Sequence, residues 1–153
     1  VLDGSESDLV PLREEMAFVT DYLEIEKTRW GEKLQLQVSV DEELMDVPVP
    51  PIILQPLVEN AVKHGVASQA QGGTVAIEIT KNGQHMHCRV SDSGPGLETA
   101  DQENGEKRGI GLKNINERLR CVYGDDFSFS IDNNESGGVT AEIVMPAGPV
   151  KGN

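Results

Sequence analysis

Leu54-Gln55-Pro56-Leu57-Val58-Glu59-Asn60-Ala61-Val62-Lys63-His64-Gly65 is the stretch on which the reading of this chain turns. At about 100° per residue, Ile53, Leu54, Leu57, Val58, Ala61 and Val62 fall on one arc of a helix. Glu59, Asn60 and Lys63 fall on the other, with His64 at its edge. A carboxylate, an amide oxygen and an ammonium presented off a packed helix suit a metal and phosphates. A core helix with a merely solvated polar face accounts for this stretch equally well. The flanking sequence has to discriminate.

Upstream, Val47-Pro48-Val49-Pro50-Pro51 excludes a helix or central strand and reads as an extended lead into the helix. Leu34, Leu36, Val38 and Val40 alternate with Gln35, Gln37 and Ser39, so 33–40 reads as a half-buried strand. Pro11 opens a helix that ends at Trp30-Gly31, with Glu14 and Glu15 near the positive end of its dipole. Leu12, Met16, Val19, Leu23 and Trp30 follow near-heptad spacing, a seam for this domain or for a partner helix. Residues 1–10 are polar and read as a linker or tail.

Downstream, 68–73 is a loop, and Val75, Ile77 and Ile79 lie on one face of a strand over 74–80. Asn82-Gly83 marks a tight hairpin turn, and the return strand carries Met86, Cys88 and Val90 inward. His85 and His87 share its other face, as an exposed pair or as two ligands lacking a third. The strand runs into Asp92-Ser93-Gly94-Pro95-Gly96-Leu97, then a polar run from Glu98 to Arg108. Gly109-Ile110-Gly111 opens a helix with Leu112, Ile115, Leu119 and Val122 on one side and Gly124 as its stop. Residues 127–131 and 139–145 are alternating strands joined by a turn. Three helices and about five strands make an α+β two-layer sandwich, a mainly antiparallel sheet covered on one face by helices.

With 153 residues the chain suits one domain with a real core. Its net charge of −13 argues against a nucleic-acid surface. It also opposes polyphosphate binding unless local cations intervene, which singles out Lys63, Lys107, Arg108 and Lys113. No apolar run approaches the ~20 residues of a membrane span. With no basic leader and no initiator Met, the chain reads as a fragment of something longer, and an anchor could lie outside it. Cys88 and Cys121 have no metal spacing and read as reduced structural thiols.

Asp92, ending a strand just before two glycines, can accept a hydrogen bond from an exocyclic amine such as that of adenine. Gly94 and Gly96 let backbone approach a flat ligand, although Asp-Ser-Gly-Pro-Gly taken alone is a turn. A glycine-flanked helix start is a natural anion site, and the polar run before it has the size of a lid. The ordered set says more than its members. An Asn-bearing helix, strand-Asp-x-Gly-x-Gly, a polar lid and Gly-x-Gly opening a helix resemble the N, G1 and G2 boxes of the GHKL ATPase/kinase superfamily. The resemblance runs from about Leu12 to Pro146, and within the superfamily the sequence is most similar to the LytS-like sensor histidine kinases. Leu12-Arg13-Glu14-Glu15 and Tyr22-Leu23-Glu24-Ile25-Glu26-Lys27-Thr28-Arg29-Trp30 resemble their pre-catalytic helix, and 49–65 their N box.

The resemblance implies the Bergerat-type ATP-binding fold, with 11–30 leading into a catalytic domain over 31–147, a lid at about 98–108 and a tail at 148–153. It implies ATP and Mg²⁺ as ligands. Asn60 would bind the metal, Lys63 would meet phosphate, and His64 phosphate or ribose. Asp92 would read the adenine amine, with Gly94, Gly96 and Leu97 shaping that pocket. Lys107, Arg108, Gly109, Ile110, Gly111 and Leu112 would stand at the triphosphate end. One amide ligand is consistent with Mg²⁺, which keeps substrate oxygens and waters for its other positions.

Three departures refine this. Hydrolytic members (gyrase, Hsp90 and MutL types) place a carboxylate base four residues before the Asn, where this chain has Pro56. Glu59, about 100° away around the helix, either orients a nucleophile or is solvated. Val139 stands where histidine kinases often carry a hydroxyl, and Thr140, the alternative adenine contact, falls on the opposite face. Neither His64, His85 nor His87 fits the phosphoacceptor. The expectation is a histidine kinase catalytic domain that transfers the γ-phosphoryl group to a histidine on a dimerisation segment of the same or a sister chain. The alternatives are a nucleotide-gated module without transfer and an ATPase or serine kinase of the same fold. By resemblance, the full protein is a homodimeric, membrane-anchored bacterial sensor with this portion in the cytoplasm. This portion makes no membrane contact, and the partner is a LytTR-type response regulator.

Overall fold

The computed structural model describes residues 9–67, 69–96 and 105–148, with only the helical backbone described for 105–113. The first strand, β1 (Val10–Pro11), leads directly into helix α1 (Leu12–Trp30). No side chain caps α1. Its first N–H groups instead donate to backbone, Leu12 to the Val47 carbonyl at 2.9 Å and Arg13 to that of Met45 at 2.8 Å. The short strand β3 (Pro48–Val49) pairs antiparallel with β1, so the proline-rich lead is stitched to the start of α1. Leu12, Met16, Val19 and Leu23 are buried within this domain, which assigns the seam to the domain's own core. Phe18 and Ile25 are 55% and 66% exposed.

The main sheet comprises β2 (Leu34–Val40), β4 (Gly73–Asn82), β5 (His85–Asp92), β6 (Ser128–Asn133) and β7 (Val139–Pro146). Their spatial order is β2-β4-β5-β7-β6, with β2 parallel to β4 and the remaining pairs antiparallel. Asn82 pairs with His85, so the hairpin turn is Gly83-Gln84, one residue later than the Asn82-Gly83 reading. Gly83 has φ +67°, the left-handed conformation that a two-residue hairpin turn needs at its first position.

Val75, Ile77 and Ile79 of β4, Met86, Cys88 and Val90 of β5, and Ile143 and Met145 of β7 are buried. They share one core with α2 (Gln55–Val62) and with Ile115 and Leu119 of α3 (Gly105–Tyr123). The expected two-layer α+β architecture is the one observed. Val38 is 51% exposed despite its apolar register, since β2 is an edge strand flanked only by β4.

The outer sheet face is polar. Arg89 approaches Glu78 at 3.9 Å and Glu142 at 3.6 Å. His85 pairs with Asp126 at 2.7 Å and His87 with Glu142 at 3.2 Å, so each imidazole faces its own carboxylate. Both cysteines are free thiols, and burial pushes the Cys88 thiol far above its usual range.

The third helix corrects the sequence reading. It starts at Gly105, so Gly109-Ile110-Gly111 lies within it instead of opening it. Glu106, Lys107 and Arg108 are good helix formers, and a polar run need not be a loop. The helix stops as expected: Gly124 has φ +65° and its N–H reaches the Arg120 carbonyl at 2.9 Å.

Candidate functional site

Leu57, Val58, Ala61 and Val62 are buried, Glu59 is exposed and Asn60 half-buried, as the helical arc requires. Leu54, at the N-cap of α2, provides no side-chain cap. The Glu15 carboxylate of α1 instead fixes the backbone that enters the helix, accepting from the N–H groups of Ile52 (2.8 Å) and Leu54 (2.9 Å). Beyond Val62 the helix widens into a π turn, Lys63–Ala67, where the sequence reading continued the α-helix. Such wide turns inside helices are frequent at functional sites.

The π turn lets Gly65 lie against Asp92. A Cβ on Gly65 would fall 2.4 Å from the Asp92 Cβ, and one on Gly94 would fall 2.6 Å from the His64 carbonyl oxygen. A Cβ on Gly138 would meet the Asp92 carbonyl oxygen at 2.0 Å. Asp92 is thus enclosed by backbone from three directions, which only glycine permits. Gly65→Ala is expected to destabilise the fold by about 1–3 kcal/mol through overpacking. Thermal unfolding measures this directly, and an unchanged midpoint would refute the close packing.

Asp92 is 6% exposed. Its Oδ1 accepts from the N–H groups of Gly94 (2.9 Å) and Val139 (3.3 Å). Its backbone carbonyl accepts from Asn134 Nδ2 at 3.1 Å. Asn134 Oδ1 in turn accepts from the N–H groups of Ser136 (3.1 Å) and Gly138 (3.0 Å), fixing the β6–β7 turn against the Asp92 loop. Ser93 Oγ accepts from the Thr74 N–H at 2.8 Å, fastening the loop to the start of β4.

Asn60 and Asp92 line one cleft, with walls of Leu57, Ala61, Val90, Ile131, Val139 and Ala141. The cleft has room for about one water in its depth, about 20 Å³.

Among the other expected site residues, Lys63 is exposed one turn beyond Asn60, and His64 is half-buried under the Gly94 backbone. Glu59 lies outside the cleft, where Gln55 Nε2 donates to it at 3.2 Å. Together with burial and Glu26, the Glu59 charge raises the Tyr22 phenol to about 12. Its position gives no support to a role beside a nucleophile. Thr140 lies on the outer sheet face with Ser91 Oγ at 2.9 Å and Asn134 Nδ2 at 3.2 Å, away from the cleft that Asn60 and Asp92 line. Leu97 and the lid up to 104 lie outside the described residues, and for Lys107, Arg108, Gly109, Ile110, Gly111 and Leu112 only the helical backbone is described.

Sequence reasoning missed Glu15, Gly65, Asn134 and Gly138. Only the two glycines carried a signal, as small residues beside boxes already under suspicion.

Residues 50–149 match the family model described as histidine kinase-, DNA gyrase B- and HSP90-like ATPase. The chain belongs to this ATPase family. It is 34% identical over 153 residues to the sensor protein LytS of Oceanobacillus iheyensis, covering 94% of this chain and 26% of that protein. It is 37% identical over 125 residues to the sensor histidine kinase BtsS of Escherichia coli, covering 82% of this chain and 22% of that protein. The chain therefore spans about a quarter of the length of these sensor proteins. The catalytic domain of histidine kinase ThkA shares its fold, with a TM-score of 0.69 at 19% identity over 92% of this chain and 97% of that one. Histidine kinase AdeS of Acinetobacter baumannii gives 0.66 at 17% identity over 91% and 66%. As a member of the ATPase family, the domain is a nucleotide-binding unit of the kind found in sensor histidine kinases.

Proposed function

We propose that this chain is the catalytic domain of a sensor histidine kinase, binding Mg-ATP and transferring the γ-phosphoryl group to a histidine on a dimerisation segment. The observation that carries this is the convergence of Asn60 and Asp92 on one cleft from two separate elements. Asp92, held by two N–H groups, offers a fixed acceptor to an exocyclic amine. Leu57, Ala61, Val90 and Ala141 exclude water around a purine, which strengthens that hydrogen bond.

The donor set fits Mg²⁺. No cluster of three or more His, Cys, Asp or Glu is present among the described residues, and Asn60 offers one amide oxygen, matching a hard ion that keeps phosphate oxygens and waters. When bound there, Mg²⁺ would neutralise phosphate charge. Lys63, exposed one turn on, supplies a cation to the same end against the overall charge of −13. Asn60 and Lys63 hold and orient the phosphates, and positioning is most of what phosphoryl transfer asks of a protein.

Pro56, in the first turn of α2, offers no proton acceptor for water. Steady-state hydrolysis by the chain alone is therefore expected to be slow, whereas adding a histidine-bearing dimerisation segment yields acid-labile, base-stable phosphate on that segment. A segment that stays unlabelled while ATP turns over rapidly would favour the hydrolase reading. The sensor relatives support a two-component setting. Within it we assign a homodimeric, membrane-anchored sensor with this domain in the cytoplasm and a LytTR-type regulator as receiver. Among the described residues no helix is long and apolar enough to cross a membrane.

A further inference from the structure

Asn60 reaches the cleft because α2 starts where it does, and three elements meet at that start. Glu15 of α1 is 1% exposed and holds the N–H groups of Ile52 and Leu54. Arg118 of α3 donates to the carbonyl of Ile52 at 2.8 Å and to that of Pro51. Ile52 is thus gripped at its N–H from one helix and at its carbonyl from another. Its φ is +56°, and among the described residues it is the one non-glycine in the left-handed region. A β-branched residue is strained there. The Ile52 side chain is 55% exposed, so packing does little to hold the conformation. The two polar grips hold it.

Glu15 thus fixes the backbone entering α2 from α1, so the start of α2 follows α1. The same end of α1 is itself tied to the lead of α2, through Leu12 and Arg13 N–H groups and an Arg13–Asp46 ion pair of 2.9 Å.

We infer that Glu15 and Arg118 are positioning residues for the nucleotide site. Through the Ile52 turn they set the axial position of α2, and with it the placement of the Asn60 amide, which thereby tracks α1. This rests on the reading of Asn60 as the metal-phosphate residue. Glutamine is a poor substitute at 15, because its NH₂ would face one of the two N–H donors that the carboxylate now accepts.

The test separates the two ends of the site. Adenosine engages Asp92 and the apolar walls, two of which, Leu57 and Ala61, lie on α2, whereas the gain in ATP affinity on adding Mg²⁺ reports Asn60. Both are measured by NMR titration on wild type, Glu15→Gln, Arg118→Ala, the double variant Glu15→Gln/Ile52→Gly, and Met145→Ala. Glu15→Gln and Arg118→Ala are expected to shrink the Mg²⁺-dependent gain by about tenfold, while adenosine, held by the Asp92 carboxylate as well as by the α2 walls, loses less. Ile52→Gly restores much of the gain in the Glu15→Gln background, because glycine adopts the turn without strain. Met145→Ala, a core change near the far end of the sheet, lowers the unfolding midpoint and leaves the gain intact. Should Glu15→Gln fail to fold, Arg118→Ala carries the test, since Arg118 is only half-buried. An unchanged gain in the folded variants overturns the inference, as does a loss shared equally by adenosine and Mg-ATP. A wild-type chain without any Mg²⁺-dependent gain overturns the reading of Asn60 itself, and the inference falls with it.

Discussion

Asp92→Asn is expected to weaken ATP binding by about 2 kcal/mol, roughly 30-fold, and to leave the fold standing. The Asp92 side chain has two duties, and the asparagine separates them. The first is internal: Oδ1 accepts from Gly94 and Val139 and so fixes the loop and the start of β7. An amide oxygen can do the same, which turns the new NH₂ toward the ligand. The second, which we propose, is to accept from an exocyclic amine, and there an NH₂ would oppose an NH₂. Losing a charge-assisted hydrogen bond and leaving donors face to face accounts for the size of the effect. The sign reverses for a purine with a carbonyl at position 6, so GTP should lose nothing and gain relative to ATP. Asp92→Ala removes both duties, and binding should fall below detection together with a lower unfolding midpoint. Calorimetric titration of both nucleotides against both variants checks this. An asparagine variant that binds ATP like wild type would leave Asp92 a loop-fixing residue and nothing more.

How much of this was legible beforehand differs between the two halves of the site. The six apolar residues expected on one arc of the helix at 54–65, Ile53, Leu54, Leu57, Val58, Ala61 and Val62, are all buried. Asn60 follows from that arc without further information, because helical period fixes its face. Asp92 follows from strand alternation. What the chain does not spell out is contact between distant segments. Glu14 and Glu15 read alike, as acids in a first turn. The structure exposes one and buries the other against the backbone that enters a helix far along the chain. Periodicity carries no information about such a partner.

The π turn at Lys63–Ala67 was equally invisible, because it is imposed by the need to seat Gly65 on Asp92. Polarity misled at Gly105–Arg108, where charged helix formers were read as loop. Thr140 shows the reverse case: its period-two placement already put it on the outer face, and Ser91 and Asn134 hold it there.

Asn60→Ala should separate binding from chemistry more sharply than any other single change. The alanine keeps α2 intact, since it is the better helix former and Asn60 is only half-buried. Adenosine and metal-free ADP, which depend on Asp92 and the apolar walls, should bind as in wild type. The Mg²⁺-dependent gain in ATP affinity should vanish, and transfer to a histidine-bearing segment should fall by at least about 100-fold. That is a floor, because even outer-shell partners of metal ligands are worth about 10–100-fold. The electrostatic setting enlarges the effect. With a net charge of −13, the chain repels a triphosphate unless a cation is held against it. Lys63 alone carries one positive charge against the several negative charges of ATP. Asn60→Asp is the instructive companion. It retains an oxygen donor and adds a negative charge, so metal should still bind while the phosphates are pushed away, and transfer fails with the metal in place. Metal-binding titrations paired with single-turnover labelling distinguish the two variants. If Asn60→Ala transfers at the wild-type rate, the amide is a solvated helix residue and its proposed role in holding the metal falls.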